Sequence, residues 1–284
     1  VANFEKSASP AVLRKAARLI AKSGRTVVTE ETTAELAKLK SETFPDPLTL
    51  ARESDLLLVF GGDGTMLRVA EEIDSVATPI LGINVGRLGF LTAVSSNDLP
   101  RALEGLWRND YCVEPRALIQ ASGACGGKMI EMCALNDIVI SHGATARVIE
   151  LDVSVDGEPL TRYRGDGLIV SSPTGSTAYS LSAGGPIISP NADVFAITPI
   201  CPHALSNRAV IVNLSSIVQV RLLSQGVETI VAADGHVQTA MGCMETITIQ
   251  RSKRRVNLVR LSGHSFFEAV RRKLRWSGSA APAN

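Results

Sequence analysis

The stretch "LLLVFGGDGTMLRVA", Leu56 to Ala70, decides the fold of the first part of the chain. Leu56 to Phe60 is a continuous apolar run, as a parallel strand covered on both faces requires, and Met66 to Ile73 carries helix formers. Between them lie Gly61-Gly62, then Asp63-Gly64, then Thr65 as the expected helix cap. Such a turn suits an anion. Glycines let phosphate oxygens reach backbone N–H groups, and the start of a helix adds unsatisfied donors. Asp63 conflicts with that picture unless its carboxylate meets a bridging cation or a hydroxyl that needs a proton acceptor, and both belong to phosphoryl transfer. A second use for Asp63 is structural, as an acceptor for backbone amides. No G-x-x-x-x-G-K-[ST] occurs, and "GINVGRLG" at Gly82 to Gly89 has the wrong spacing for G-x-G-x-x-G.

Outward from this stretch the pattern is α/β up to about Glu114. Pro10 to Ser23 places Val12, Leu13, Ala16, Ala17, Leu19 and Ile20 on one helical face, and Thr26 to Glu30 reads as a strand. Pro79 to Ile83 repeats the strand signal, and a helix from Asn97 to Arg108 is expected with Ser96 or Asn97 as its cap. "VANF" at the start reads as the remnant of a first strand. The chain opens at Val1 without a signal-peptide pattern, which points to an N-terminus other than the translated one.

After Pro115 short β-rich segments take over: Ala117 to Ala121, Met129 to Ser141, Arg147 to Val155, Leu168 to Ser172, Ala209 to Asn213 and Ile217 to Leu222, continued by Glu245 to Gln250 and Val256 to Leu261. Asp156-Gly157 is a type I′ hairpin signal. Phe266 to Trp276 reads as a basic helix with Phe267, Val270 and Leu274 on one side, and "SGSAAPAN" as a disordered tail. The prediction is two domains: residues 1–115, completed by the tail 262–284, and a β-rich domain over 116–261.

With 284 residues, 45% hydrophobic, 20% charged and a net charge of +1, neither disorder nor an electrostatic footprint for nucleic acid is expected. No apolar run reaches the roughly 18 to 20 residues of a membrane-spanning helix. Five cysteines without a C-x-x-C pair argue against a disulfide framework and a structural zinc site and fit a reducing cytoplasm.

Two further constellations carry chemistry. "YRGDGLIVSSPTGSTAYSLSAGGPIISP", Tyr163 to Pro190, gathers hydroxyls at a turn after the Leu168 to Ser172 strand, with Ser176 or Thr177 as the expected cap of a short helix. "CALNDIVIS" sets Asn136-Asp137 inside a strand pattern, where two adjacent polar residues need a use or an edge or bulge position. A carboxylate that accepts from two neighbouring hydroxyls can hold a ribose.

Together "GGDGTML" from Gly61, "GINVGRLGFLT" from Gly82, "LNDIVI" from Leu135, "RGDGLIVSSPTGSTAYSLSAGGPI" from Arg164 and "PICPHALSNR" from Pro199 resemble the NAD kinase family, with weaker similarity in "ADG" at Asp234. "GGDGT" also occurs in diacylglycerol and sphingosine kinases, whereas the serine/threonine segment looks like NAD kinase only. The resemblance implies an N-terminal α/β domain (a parallel sheet with flanking helices), an all-β, sandwich-like C-terminal domain, and an active site between them. It implies transfer of a phosphoryl group from ATP or polyphosphate to the 2′-hydroxyl of the adenosine ribose of NAD, giving NADP, assisted by Mg2+ or another divalent cation. By similarity Asp63 is catalytic and Gly61, Gly62, Gly64 and Thr65 face the donor phosphates. Asn136, Asp137, Asp166, Thr174, Thr177, Ala178 and Tyr179 hold NAD, and Arg164 reaches across a subunit boundary of a homodimer or homotetramer. Many relatives have Asn-Glu in place of Asn136-Asp137, and proline in place of Ala209. A glutamine is frequent where this chain has His236. His203 is expected to be a hydrogen-bonded structural residue in an apolar setting. Two rivals are a lipid kinase, which shares the glycine turn, and an NAD(P) sensor, which needs no Asp63.

Overall fold

The computed structural model describes residues 1–2, 10–73, 76–86, 89–92, 94–145 and 147–276; the expected "SGSAAPAN" tail and part of "VANF" lie outside them. The chain forms two compact units, residues 1–115 with 256–284, and residues 116–255. In chain order the first elements are α1 (Pro10–Lys22), β1 (Val28–Glu30), α2 (Glu31–Ala37), β2 (Glu42–Phe44), α3 (Pro47–Arg52), β3 (Leu57–Gly61), α4 (Asp63–Glu72), β4 (Ile80–Asn84), β5 (Val94–Ser95) and α5 (Leu99–Trp107). There follow β6 (Tyr111–Cys125), β7 (Lys128–Ala134), β8 (Asp137–His142), β9 (Ile149–Val155), β10 (Glu158–Gly165), β11 (Gly167–Ser171) and α6 (Tyr179–Ser182). Last come β12 (Val194–Ile200), β13 (Val210–Asn213), β14 (Val218–Leu222), β15 (Thr229–Ala233), β16 (His236–Met241), β17 (Thr246–Leu261) and α7 (Phe266–Leu274).

In the first unit β3, β4 and β5 pair in parallel, and Leu258 near the end of β17 pairs in parallel with Ile80. The apolar run that predicts β3 lies among Leu81 and Ile83 of β4, Leu13 and Ala16 of α1, and Leu99, Ala102 and Leu103 of α5 in one buried cluster. Ala2 bridges Phe60 in parallel, so the start of the chain does run alongside β3. The cap of the fifth helical segment differs from expectation. A 3-10 turn, Ser96–Asp98, precedes α5, and Ser95 supplies the capping hydroxyl to the Asn97 amide. On α7 the buried residue is Val270, whereas Phe267 is exposed and Phe266 takes the aromatic contact with Phe90 at 6.4 Å.

The second unit is a sandwich of antiparallel sheets. One has the order β13-β12-β11-β8-β15-β16; the other contains β10, β9, β14 and the first part of β17. Period-two alternation turns Ile138, Ile140, Leu168, Val170, Phe195 and Ile197 toward the same core as Leu151, Val153, Val218, Val220 and Ile247. Residues at odd positions of β8 and β11, among them Asp137, Val139, Ile169 and Ser171, stand on the opposite face, where Val139 and Ile169 pack with Ile200, Ala232 and Ala183. Strand β11 is therefore buried throughout. Asp156 (φ 53°) and Gly157 (φ 84°) make the predicted hairpin between β9 and β10. The two strands expected over 245–261 form the single β17, in which exposed Arg251, Lys253 and Arg255 alternate with buried or half-buried residues.

Phe195 is wholly buried at the centre of the sandwich. Phe195→Ala is expected to destabilise the second unit by about 3–5 kcal/mol, the usual cost of deleting a core phenyl ring. Urea unfolding followed by tryptophan-independent far-UV signal checks it.

Candidate active site

In the first unit the site begins with the glycine turn. Helix α4 starts at Asp63 with Gly62 as its cap (φ −105°, ψ −171°), three residues before the Thr65 cap expected from the sequence, because Gly62's carbonyl already takes the Thr65 and Met66 amides. Gly61 lies against the helix: a Cβ there would fall 2.2 Å from Thr65 Oγ1, so only glycine allows strand and helix to approach this closely. Gly62 and Gly64 instead face open space, with no atom within 4 Å of a Cβ position. That leaves the backbone of the turn accessible, next to the helix-start amides that lack helical acceptors.

The Asp63 side chain is half-buried and held by one segment. Its Oδ2 accepts from the Phe90 amide (2.8 Å), and its Oδ1 from the amides of Leu91 (3.0 Å) and Thr92 (3.2 Å) and from Thr92 Oγ1 (3.2 Å). Thr92 Oγ1 in turn accepts from Asn84 Nδ2 at 2.9 Å. A Cβ on Gly89 would sit 1.8 Å from Asp63 Oδ1. Thus the second glycine-rich motif, Gly82 to Thr92, is the holder of the first motif's carboxylate; its Arg87 and Leu88 lie outside the described residues. Three acceptances leave Oδ1 with no spare capacity, while Oδ2 keeps a lone pair beyond the one given to Phe90. The amide-accepting role weighed for Asp63 is present, and it coexists with one acceptor position to spare.

In the second unit Asn136, Asp137, Thr174, Thr177, Ala178 and Tyr179 come together. Ser172 bridges the two motifs that carry them: its amide donates to Asn136 O (2.8 Å), its hydroxyl to Leu135 O (2.5 Å), and that hydroxyl accepts from the Gly175 amide (3.1 Å). A Cβ on Gly175 would lie 2.0 Å from Asn136 O, which explains glycine there. The expected capping hydroxyls are used otherwise. Residues Thr174–Thr177 form a 3-10 turn without a side-chain cap; Ser176 Oγ donates to Pro173 O (2.7 Å) and accepts from the Ile188 amide (3.1 Å), and Ser180 pairs with Thr198 (3.0 Å). Half of the hydroxyl-rich signal is therefore internal scaffolding. Tyr179 is exposed, Thr177 and Ala178 are half-buried, and Thr174 is buried.

Arg164 and Asp166 lie elsewhere in the same unit. Gly167 pairs with Ser141 and Ser171 with Asp137, so Asp166 and Asp137 flank opposite ends of β11, about 17 Å apart at ~3.4 Å per residue. Arg164 is exposed. Asp166 accepts from the Cys201 thiol and thereby raises that thiol's pKa. His203 is exposed rather than set among apolar residues, its amide bonded to Arg164 O at 2.9 Å; the flanking Pro202 and Leu205 suggest an apolar setting only because sequence does not show that the loop projects outward.

Asp137 is the electrostatic anomaly. It is 4% exposed, and burial, with the charge of Asp234 adding, pushes its carboxyl from 3.8 to about 7. Among the described residues no group of three His, Cys, Asp or Glu gathers as a metal cage, no helix is long and apolar enough to cross a membrane, and all five cysteines are free.

The family model for the ATP-NAD kinase N-terminal domain matches residues 1–111, and that for the ATP-NAD kinase C-terminal domain matches residues 135–261. This chain belongs to the NAD kinase family. A curated NAD kinase from Lachnoclostridium phytofermentans is 37% identical over 281 residues, covering 96% of each chain, and one from Geotalea daltonii is 43% identical over 228 residues, covering 80% of each. An NAD kinase from Archaeoglobus fulgidus, solved in complex with ATP, superposes with a TM-score of 0.69 at 29% identity over 88% of this chain and 98% of that one. The fold also matches yeast NADH kinase, solved with NADH, with a TM-score of 0.87 at 24% identity over 100% of this chain and 88% of that one. The C-terminal match sets aside the lipid-kinase rival, which rested on the glycine turn alone.

Burial of Asp137 predicts a stability effect with a defined sign. Below about pH 4 the carboxyl is protonated folded and unfolded, so its burial carries no ionisation cost. From there to about 7 the unfolded chain has released a proton that the folded one keeps, and stability falls. Asp137→Asn is expected to match wild type near pH 4, to gain on it up to pH 7, and to hold an advantage on the order of 4 kcal/mol above that. Thermal unfolding at pH 4.5 and pH 8 checks the sign.

Proposed function

We propose that this chain is an NAD kinase that moves a phosphoryl group from ATP to the 2′-hydroxyl of the adenosine ribose of NAD, giving NADP. The observation that carries the proposal is Asp63: a carboxylate fixed by four donors, at the head of a glycine turn open to an anion, with one acceptor position left. The 2′-hydroxyl is a weak nucleophile, so the chain's main contributions are placement and proton removal. Asp63 Oδ2 accepts the hydroxyl proton as the ribose oxygen bonds to the γ-phosphorus and the β–γ bridge breaks, releasing ADP. The amides of the Gly61 to Thr65 turn hold the donor phosphates. Asn136 and Asp137 hold NAD, with Thr174, Thr177, Ala178 and Tyr179 around them.

A divalent ion such as Mg2+ fits this donor set. With no three-ligand cage among the described residues, it would be held mostly by the donor's phosphate oxygens and water, a common arrangement for this ion, and the free Oδ2 position of Asp63 goes to the hydroxyl. When bound it neutralises phosphate charge. Inorganic polyphosphate offers the turn the same anionic oxygens as ATP and is a second donor to test. The five free thiols support a reducing cytoplasm. Exposed Arg164 supports a homodimer or homotetramer in which it reaches a neighbour's NAD.

Purified protein with Mg2+, NAD and either ATP or polyphosphate is expected to form NADP. Asp63→Asn is expected to lower turnover by about 10² or more while NAD affinity stays within severalfold. The new amide group faces the Phe90 N–H donor to donor, so a melting curve should accompany the assay. Undiminished turnover in that variant would remove the proton-accepting role and leave the amide bonds of Asp63 as its whole purpose, whereas no NADP from wild type with either donor would favour the sensor reading. Asp137→Ala is expected to cost mainly NAD affinity, read by calorimetry.

A further inference from the structure

Asp234 and Gly235 form the two-residue turn between β15 and β16, with φ of 50° and 83°. Aspartate at such a position is ordinary turn chemistry, as at Asp156-Gly157, where Asp156 Oδ1 accepts a single amide, Ile217. Asp234 does more. Its Oδ2 accepts from the Leu135 amide (2.8 Å) and its Oδ1 from the amides of Asn136 (2.7 Å) and Asp137 (3.2 Å), three successive residues of a segment 97 to 99 positions earlier. Its own amide donates to Asp137 O at 3.0 Å, closing the grip. Beside it Ser171, wholly buried and in register with Asp137 on the same face of the sheet, has a hydroxyl with no hydrogen-bond partner among the described residues.

We propose that Asp234 is a positioning residue for the dinucleotide: it presents the Asn136–Asp137 pair by holding three consecutive amides, and its negative charge makes occupancy of that pair depend on pH. This rests on the reading that Asp137 holds NAD. A carboxylate can accept from both hydroxyls of a ribose, whereas a protonated carboxyl must donate with one oxygen and loses one of those acceptances. Burial first, and Asp234 second, hold Asp137 protonated up to about pH 7, so NAD meets a partly incompetent site below that value. Among the described residues no other charge acts on Asp137 from the elements around it. Strand β11 and the turn after it bring Ser171, Ser172 and Thr174; β12 has Ala196 and Thr198 at this end; β16 begins with exposed His236. Asp234 thus does two opposed things: it fixes the pair in place and disfavours its charge.

The turn makes a test available, because Asn-Gly is favoured at this turn type and Asp234→Asn removes the charge while keeping the turn and the Oδ1 contacts to Asn136 and Asp137. Calorimetric NAD affinity should be measured from pH 6 to pH 8.5. In wild type the Kd for NAD is expected to rise up to about tenfold per pH unit below 7, as the competent fraction falls. Asp234→Asn is expected to flatten that rise to about twofold over the same range. Its affinity at pH 8.5 should fall severalfold, since the amide nitrogen can no longer accept from Leu135. Asp234→Gly, which keeps the turn and deletes the side chain, is expected to bind NAD at least tenfold more weakly at every pH with ATP affinity unchanged. A wild-type Kd that is flat with pH, or an Asp234→Asn profile that overlays wild type, would overturn the inference. Asp137→Asn separates the two levels: if it keeps wild-type affinity and slope, the placement of NAD on Asp137 is wrong; if it loses both while Asp234→Asn matches wild type, only the role of Asp234 fails.

Discussion

An acidic side chain that accepts several backbone N–H groups from a distant segment is the interaction on which both halves of the functional apparatus depend. Asp63 takes the amides of 90–92, and Asp234 those of 135–137. Glu245 repeats the device away from the site, taking the amides of Gly126, Gly127 and Gly242, which hold its carboxyl below the usual range. A bond from a backbone amide to a charged oxygen is stronger than one to a neutral acceptor, and several on one carboxylate fix a loop that has no ladder to hold it. The scaffold can therefore keep irregular backbone around a ligand without covering it.

The same currency has a cost at Asp137. The fold places a carboxyl where water is excluded and a second acid stands nearby, which weakens the folded state progressively as pH rises from about 4 to about 7. Around it the hydroxyls of Ser172, Ser176 and Ser180 are already bonded within the protein, and they build the wall rather than meet a ligand. On the proposed placement of NAD, what is left for it is a short set: Asn136, Asp137, Thr174 and the half-buried or exposed residues 177–179.

Much of this was legible from the residues. The apolar run and glycines at 56–65 give β3 and α4, and Asp156-Gly157 gives its hairpin, because both depend on neighbours in sequence. What depends on distant partners was not. Nothing local shows that Asp63 faces residues 27 to 29 positions later, or that Gly89 must lack a side chain to admit its oxygen. Asp234 shows in the sequence only as part of "ADG"; that its Asp-Gly pair turns a hairpin is obscured because the second strand, His236 to Met241, lies at a sheet edge and is largely exposed. Strand β12 was hidden inside "VFAITPI", where Pro199 reads as a breaker, and β17 was split because its outward-facing arginines resemble a loop. The helix caps moved by one to three residues, as caps do when a hydroxyl finds a better partner in tertiary structure.

The separation between Asp234 and the segment it grips has a consequence for biogenesis. Residues 135–137 leave the ribosome almost a hundred residues ahead of their anchor, so a growing chain cannot set this loop until β15 has been made and has found β8. The Asp63 carboxylate, by contrast, finds its amides across fewer than thirty residues, although the first unit itself is completed only by residues 256–284. On the proposed placement of NAD, competence for the dinucleotide is then among the later properties this polypeptide acquires, and a chain cut short of Asp234 lacks the anchor of that site.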